Sequence, residues 1–281
     1  MMDFPAPVSV HGGHSGQFCN HAKNTLEEMV QTYITKGYAW VGITEHMPPV
    51  SDRFLYPDEV EAGLSADGLS RRFDRYIKTC RALQADSADR IQIHVAFETE
   101  CYQGSLDLAK TLIRKYAPDY VVGSVHHVND IPFDYSRAFY QKAAKEHGSL
   151  DGLYAAYFDL QWEMIRSLKP RVVGHMDIIR IHDPAYRSRL VKPDIWKRIL
   201  RNLELIKELN LILDFNLRPL SRGEAEPYLS EPILKQACEM GIAIVPGDDS
   251  HKVAEIGMHM DEAIERLLLA GGNLHWRSPV E

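Results

Sequence analysis

The chain has 281 residues, of which 45% are hydrophobic and 25% charged, and its formal net charge at pH 7 is −7. This composition is typical of a globular protein and excludes a disordered or fibrous chain. The acidic balance argues against nucleic acid as a partner, and no run of about 18 apolar residues predicts a membrane span. The first residues lack a basic segment followed by an apolar one, so we expect no signal peptide and a cytoplasmic location.

Short β-rich segments alternate along the chain with longer stretches of helical periodicity. Most of the β-rich segments are continuously apolar, as expected of strands that are covered on both faces. The predicted strands are Pro7–Val10, Ala39–Thr44, Ile91–Phe97, Tyr120–Val125, Val172–Gly174, Leu211–Phe215 and Ile242–Pro246.

The first helical stretch places its apolar side chains on one stripe, with Asn24 as the expected N-cap and Gly37 just beyond the end. A second, aromatic-rich helix is predicted over Leu153–Leu168, before Pro170. Strands that alternate with helices form parallel β-α units, either in an open doubly wound sheet or in a closed barrel. No glycine-rich phosphate-binding motif follows any strand, which favours the barrel. We therefore predict one α/β domain over residues 1–281, a distorted (β/α)7 barrel with its active site at the carboxyl ends of the strands.

Ionisable side chains follow every predicted strand, and most of these positions carry histidine. An aspartate or serine there can be a helix cap, as Asp249 or Ser250 could be for the last helix, but histidine is not a capping residue. Glu100 lies beyond the glutamate that ends the third strand, and we do not include it among the candidates. The predicted metal ligands are His11, His14, His21, His46, Glu98, His126, His175, Asp249 and His251.

Imidazole with carboxylate suits Zn, Mn or Fe, and we expect no thiolate to contribute because the four cysteines are scattered and are expected to be free thiols. Nine candidates exceed the four or five ligands of one ion, so we expect two to three divalent metal ions. Adjacent metals are the arrangement used for phosphoester hydrolysis: one activates a water as hydroxide and the others stabilise the phosphoryl charge. Arg180 and Arg218 also follow strands and could bind phosphate.

An ordered series of motifs covers most of the chain from about Val10 to Trp276: HGGHSGQFCNHA, ITEHMPP, VAFETE, VGSVHHV, VVGHMD and PGDDSH. This series resembles the polymerase and histidinol phosphatase (PHP) family, in particular its histidinol-phosphatases. The resemblance implies a trinuclear metal centre at the carboxyl end of a distorted seven-stranded barrel, with Glu98 as the bridging carboxylate. It also implies that Arg218 belongs to the phosphate pocket and that Arg180 is the basic position after G-H-x-D.

The first motif departs from the family pattern. The family usually has H-x-H, which would place a histidine at position 12, whereas this chain has Gly12 there and His11 one residue earlier. In a regular strand His11 would point to the opposite side. A bulge at Gly12 and Gly13 could turn His11 inward.

The function implied is hydrolysis of L-histidinol phosphate in histidine biosynthesis, by attack of metal-bound hydroxide on phosphorus. Asp177 or a metal-bound water is the expected proton donor. The acidic loop residues Asp52, Asp58, Glu59 and Glu61 could meet the amine of the substrate, although a solvated surface position is the expected role of each. The long segment 47–66 could cover the site. The substrate is expected to be a small phosphate ester, and the oligomeric state is left open.

Three alternatives remain at this stage. A PHP-type phosphoesterase could use the same site on a different small ester. A barrel amidohydrolase usually has a lysine between its metals, and here only Lys252 follows a strand. A non-catalytic barrel that binds metal or phosphate is favoured only by Gly12.

Overall fold

A computed structural model describes residues 5–281, and its central element is a barrel of seven parallel strands. The order of the strands around the barrel follows their order in the chain, as the alternation of strands and helices predicts. They are β1 (Val8–Ser9), β2 (Trp40–Ile43), β3 (Gln92–Glu98), β4 (Tyr120–Gly123), β7 (Val172–Val173), β8 (Ile212–Asn216) and β9 (Ala243–Gly247). The amide of Val10 donates to the carbonyl of Pro246 at 2.9 Å, which brings the last strand beside the first and nearly closes the barrel. The predicted fold class is confirmed.

The connections between strands are mostly helical. A short antiparallel hairpin, β5 (His127–Val128) and β6 (Ile131–Pro132), follows β4. Single 3₁₀ turns span Asp52–Phe54 and Ile178–Arg180. The helices are α1 (Leu26–Thr35), α2 (Pro57–Glu61), α3 (Ala66–Asp86), α4 (Ser105–Tyr116), α5 (Arg137–Glu146), α6 (Leu150–Leu168), α7 (Tyr186–Leu190), α8 (Pro193–Glu208), α9 (Arg218–Ser221), α10 (Glu231–Glu239) and α11 (Met260–Leu269).

The first helix begins one residue later than predicted. Thr25, not Asn24, is the N-cap of α1, because its side chain accepts the amide of Glu28 while the Glu28 carboxylate accepts the amide of Thr25. Asn24 instead accepts the amide of Val253 at 3.0 Å. This bond ties the start of α1 to the loop that follows β9.

The amino half of the barrel is filled by apolar side chains. The hydroxyl of Tyr120 donates to the carbonyl of Val10 at 2.6 Å inside the barrel. Gly42 makes room for this ring, since a Cβ at that position would lie 1.5 Å from the hydroxyl. The remaining members of this interior cluster are Val8, Trp40, Ala96, Val122, Val172, Ile212 and Val245. The space inside the carboxyl half is therefore left to polar side chains.

Most of the other buried apolar side chains form a larger layer between the strands and the surrounding helices. The aromatic-rich helix α6 contributes Tyr154, Tyr157 and Phe158 to this layer, all of them fully buried. Among the described residues, 5–281, no helix has the length and hydropathy needed to cross a membrane.

Candidate metal centre

Glu98, the last residue of β3, lies at the centre of a buried cluster of histidines. Its Oε1 is 2.8 Å from Nε2 of His175 and 3.1 Å from Nε2 of His126. Its Oε2 is 3.4 Å from Nε2 of His11 and 3.3 Å from Nδ1 of His46. One carboxylate thus contacts imidazoles that follow β1, β2, β4 and β7, which is the position expected of a bridging ligand.

Asp249 is a second carboxylate at the same end of the barrel. Its Oδ1 is 3.3 Å from Nε2 of His14 and 3.7 Å from Nδ1 of His251. The ring of His251 stacks on that of His21, with their centroids 4.7 Å apart. Asp249 therefore faces the cluster and does not cap the last helix, which begins only at Met260. All nine predicted ligands converge on one region.

Groups of potential ligand atoms lie within 4.8 Å of one another in four overlapping sets. His11, His14 and His46 each belong to two sets, so ions held by neighbouring sets would lie close together. The four sets are His14, Cys19, His46 and His251; His11, His14 and Asp249; His11, Glu98 and His175; and His46, Glu100 and His126.

Two members of these sets were not among the predicted ligands. Glu100 is 2.9 Å from Nδ1 of His46 through its Oε1, and its separation of two residues from Glu98 was the available signal. We expected no thiolate to contribute to the site, and the structure nevertheless places the sulfur of Cys19 in a group with three histidines. Nothing in the spacing of the cysteines indicated this position.

Several nitrogen atoms of the cluster are buried without a hydrogen-bond partner. Among the residues that the structure describes, they include Nε2 of His11, both ring nitrogens of His14 and Nδ1 of His175. Buried polar atoms without partners are costly, and most proteins avoid them. Unpartnered imidazole nitrogens beside buried carboxylates are the donor set that a divalent ion such as zinc uses, so the residues fit the metal that the sequence predicts.

The charges of the cluster are strongly coupled. Burial by itself raises the pKa of Glu98, but His11 and His126 outweigh it and hold that pKa well below its ordinary value. Burial lowers the pKa of His11, and the carboxylates of Glu98, Asp249 and Asp214 outweigh it and raise that pKa well above its ordinary value. The carboxylates and the imidazoles thus each favour the charged form of the other.

His21 behaves differently from these histidines. Its burial, with the neighbouring His46 and His14, lowers its pKa to about 3. A neutral imidazole keeps a lone pair free for a metal. The sulfur of Cys19 lies 3.4 Å from its Nε2, so thiol and imidazole share this edge of the cluster.

Two further carboxylates orient imidazoles from behind, and a third lies near His14 beyond hydrogen-bond distance. Asp134 is 2.7 Å from Nδ1 of His126, and Asp214 is 2.8 Å from Nδ1 of His11. Glu45 lies 3.6 Å from Nδ1 of His14. Sequence reasoning missed all three, although an aspartate inside the apolar strand β8 was a visible signal for Asp214. Carboxylates in this position fix the tautomer and the orientation of a metal-ligating histidine.

Arg218 lies beside the cluster, as predicted. It begins α9, directly after β8, and its Nη1 donates to the carbonyl of Asp249 at 2.6 Å and contacts Nδ1 of His251. Arg218 and these two residues line a cavity of about 430 Å³. Its guanidinium is therefore placed to meet an anion held at the cluster.

Arg180 does not line this cavity, contrary to the role expected for it. Its guanidinium is buried, donates to Glu224 and to the carbonyl of Glu226 at 2.8 Å each, and lies over the ring of Tyr228. Asp177 is buried in the same network and accepts the amide of Ser230 at 3.0 Å. Both side chains are thus buried inside the protein, and neither lines the cavity.

Segment 47–66 contributes to the cavity, as expected of a covering loop. The hydroxyl of Tyr56 donates to Glu100 at 2.7 Å, and Asp58 accepts the side-chain amide of Asn20 at 2.9 Å. Tyr56 and Asp58 line the cavity together with Tyr135, which follows the β5–β6 hairpin.

The sequence model of the PHP domain matches residues 12–218, which is most of the chain. The chain belongs to the PHP family. A relative named probable histidinol-phosphatase from Schizosaccharomyces pombe is 35% identical to this PHP protein, with 90% of this chain and 83% of the relative aligned. The histidinol-phosphatase of Saccharomyces cerevisiae is 27% identical over 90% of this chain and 85% of its own length.

Solved structures share the fold of this PHP protein. The histidinol phosphate phosphatase of Lactococcus lactis, in a crystal with zinc, L-histidinol and phosphate, superimposes with a TM-score of 0.71 at 18% identity. The match covers 95% of this chain and 94% of that protein. The hisK protein of Listeria monocytogenes gives a TM-score of 0.80 at 23% identity, over 91% of this chain and 99% of that one.

Proposed function

We propose that this PHP protein is a metal-dependent phosphatase that hydrolyses L-histidinol phosphate to L-histidinol and phosphate. The observation that carries the proposal is the convergence of imidazoles on Glu98 beside the guanidinium of Arg218, in one cavity. The names of the relatives support the choice of substrate.

The metal ligands in this proposal are the nine residues predicted from the sequence, with Glu100 and Cys19 as further candidates. Eight of the nine belong to the four ligand sets of the described residues, and His21 stacks on one of them, His251. Overlapping ligand sets favour two to three ions, and the ligand types suit zinc, manganese or iron. Divalent ions bound there would supply an activated water and would neutralise charge on the phosphoryl group. The chain's own part is to orient the imidazoles, through carboxylates such as Asp134 and Asp214.

Arg218 is the proposed phosphate ligand. A phosphate monoester carries nearly two negative charges, and the protein is acidic overall, so local positive charge has to attract it. Arg218 presents a planar set of donors that suits phosphate oxygens. We leave Arg180 out of the phosphate pocket because its guanidinium is already bound by Glu224 and Glu226.

The leaving alkoxide needs a proton, and Asp177 is badly placed to give it. Burial raises the pKa of Asp177, which would suit an acid, but the side chain is fully buried and bonded to Ser230. We therefore propose that solvent in the cavity, and not Asp177, protonates the leaving group.

Asp58 is the proposed contact for the amine of the substrate. It lines the same cavity, and its Oδ1 is buried without a hydrogen-bond partner while Oδ2 accepts from Asn20. A free carboxylate oxygen at this point would pair with an ammonium group.

The test is release of phosphate from L-histidinol phosphate by purified protein loaded with zinc, manganese or iron, with metal content measured on the same sample. We expect turnover, loss of activity with a chelator, and recovery when metal is restored. A second assay compares kcat/KM for histidinol phosphate with that for p-nitrophenyl phosphate. Absence of turnover with every metal contradicts the proposal, and a preference for the aryl ester contradicts the assigned substrate.

A further inference from the structure

The chain is irregular between the end of β1 at Ser9 and His11. Ser9 pairs with Val41 in regular parallel register, and the amide of Val10 points to β9, where it bonds to Pro246. In a regular strand the amide of Gly12 would point the same way. It instead donates to the carbonyl of Gly42 in β2, at 2.9 Å. One extra residue therefore interrupts the alternation, which is a β-bulge.

The bulge turns His11 into the barrel and leaves no room for a side chain at position 12. A Cβ on Gly12 would lie 2.3 Å from the carbonyl oxygen of Gly42. The ring of His11 is fully buried, and its centroid lies 5.5 Å from that of His175. His11 belongs both to the ligand set with His14 and Asp249 and to the set with Glu98 and His175. Its orientation thus affects two neighbouring sets at once.

Asp214, in the middle of β8, is the residue that holds this ring. Its Oδ2 is 2.8 Å from Nδ1 of His11, accepts the backbone amide of His175 at 3.2 Å, and accepts the side-chain amide of Asn216 at 3.0 Å. Asn216 in turn donates to Asp249 at 3.2 Å. One buried oxygen therefore connects three candidate ligands, which follow β1, β7 and β9.

Gly247, at the end of β9, provides the space for this contact. A Cβ there would lie 2.1 Å from Oδ1 of Asp214 and 2.8 Å from Cβ of His11. Protein interiors do not tolerate such overlaps without displacement of the neighbours. The bulge, the glycine and the aspartate are thus three separate features that agree on one position for the His11 ring.

We propose that Asp214 is a positioning residue for the metal centre, acting through His11. This inference rests on the proposed function, because it assumes that the cluster binds divalent ions. By keeping a proton on Nδ1 of His11, Asp214 leaves Nε2 to face Glu98 and the ion. His11 lies one residue before the position at which the family usually has a histidine. Through this contact it takes the place of that ligand.

The first experiment measures zinc affinity by equilibrium dialysis for the wild type and for Asp214→Asn. We expect zinc binding to weaken about 10-fold to 100-fold, the range found when a carboxylate behind a metal-ligating histidine is removed. Asp183→Asn is the matched control, because Asp183 is also buried but pairs with Arg189 and Tyr154, outside the candidate site. The control should bind zinc like the wild type. Equal zinc affinity of Asp214→Asn and the wild type would overturn the proposal.

The second experiment is a double-mutant cycle. If Asp214 acts through His11, Asp214→Asn should cost little further affinity in a His11→Ala background. The same substitution should keep most of its effect in a His251→Ala background, because Asp214 makes no hydrogen bond to His251. Full additivity with His11→Ala would show that Asp214 acts on the fold and not through this ring.

A third measurement needs no variant at Asp214. Histidine-selective nitrogen–proton NMR of the zinc-loaded wild type, with His11→Gln to assign the signal, should show a protonated Nδ1 on His11. An unprotonated Nδ1 in the zinc-loaded protein would overturn the inference, even if Asp214→Asn failed to fold. If the wild type bound no divalent ion, the proposed function would fail, which distinguishes that failure from an unprotonated Nδ1 in a protein that binds zinc.

Discussion

The two ends of the barrel differ in how their polar side chains find hydrogen-bond partners, as the half-buried Asp119 and the buried His14 illustrate. At the amino end, Asp119 precedes β4 and both of its carboxylate oxygens are satisfied. One oxygen accepts from Arg81 at 2.7 Å, and the other accepts from Gln84 at 2.9 Å and from the amide of Val95 at 2.7 Å. At the carboxyl end, both ring nitrogens of His14 are buried without a hydrogen-bond partner.

This difference distinguishes polar groups that stabilise the fold from polar groups that are available to bind a ligand. A polar group whose partners are all supplied by the protein stabilises the fold, whereas buried donors and acceptors without partners cost free energy unless a ligand completes them. At the carboxyl end, several polar atoms that lie close together carry this free-energy cost of burial without a partner. The following predictions test whether the division between the two ends holds.

The largest effect is expected at Glu98. Glu98→Gln keeps the shape of the side chain but removes the charge that faces four imidazoles. We expect a loss of several kcal/mol of transition-state stabilisation, about 10³-fold in kcat, together with a lower metal content. Phosphate release and metal analysis on the same preparation provide the measurement. Wild-type activity in Glu98→Gln would contradict the central role of Glu98 in the proposed site.

The next effect distinguishes the two arginines that follow strands. Arg218→Met should lower kcat/KM for histidinol phosphate about 10²-fold and change stability little, since a charge-assisted donor to the transition state is lost. Arg180→Met leaves buried Asp177 without its cation and should destabilise the fold by about 3–5 kcal/mol. Measurement of kcat/KM and of the free energy of unfolding in urea for both variants distinguishes the two roles. A kinetic defect in a stable Arg180→Met protein would return Arg180 to the phosphate pocket.

A smaller effect is expected for substrate selection. Asp58→Asn should raise KM for histidinol phosphate about 10-fold, in line with one lost charge-assisted bond, and leave p-nitrophenyl phosphate unaffected. The comparison of the two substrates in one variant controls for damage to the metal centre. Equal losses on both substrates would contradict a role in recognition of the amine.

The smallest effect on activity is expected at the amino end. Burial raises the pKa of Asp119, but the amide of Val95, Arg81 and Gln84 outweigh it and lower that pKa below its ordinary value. Because the pKa is lower in the folded state, the ionised group stabilises the fold above about pH 4, and this contribution is lost as the pH falls through the folded-state pKa.

Asp119→Asn should therefore destabilise the fold by about 1–3 kcal/mol at neutral pH, and the difference from the wild type should shrink in acid. Denaturant unfolding between pH 3 and pH 7 measures this, with phosphatase activity at pH 7 as the control. A constant difference at all pH values would show that the charge of Asp119 is not responsible.

The amino-acid sequence was sufficient to predict the class of fold and the end of the barrel at which the candidate metal centre lies. Continuous apolar segments separated by helical periodicity predict parallel strands, and parallel strands place their following residues at one end. That is why His46, Glu98 and His175, far apart in the chain, could be assigned to one site before any coordinates. The motif series narrowed the class further to a PHP-like phosphatase.

The direction in which individual side chains point depends on tertiary contacts, and the sequence did not predict it. The bulge that turns His11 inward depends on bonds to two neighbouring strands, and the contact between Arg180 and Glu224 joins residues far apart in the chain. Position after a strand specifies an end of the barrel but not a direction, because direction depends on local register and on which partner comes within hydrogen-bonding distance. For the same reason an aspartate inside an apolar strand marked Asp214 as unusual, but its partner His11 follows from the tertiary structure alone.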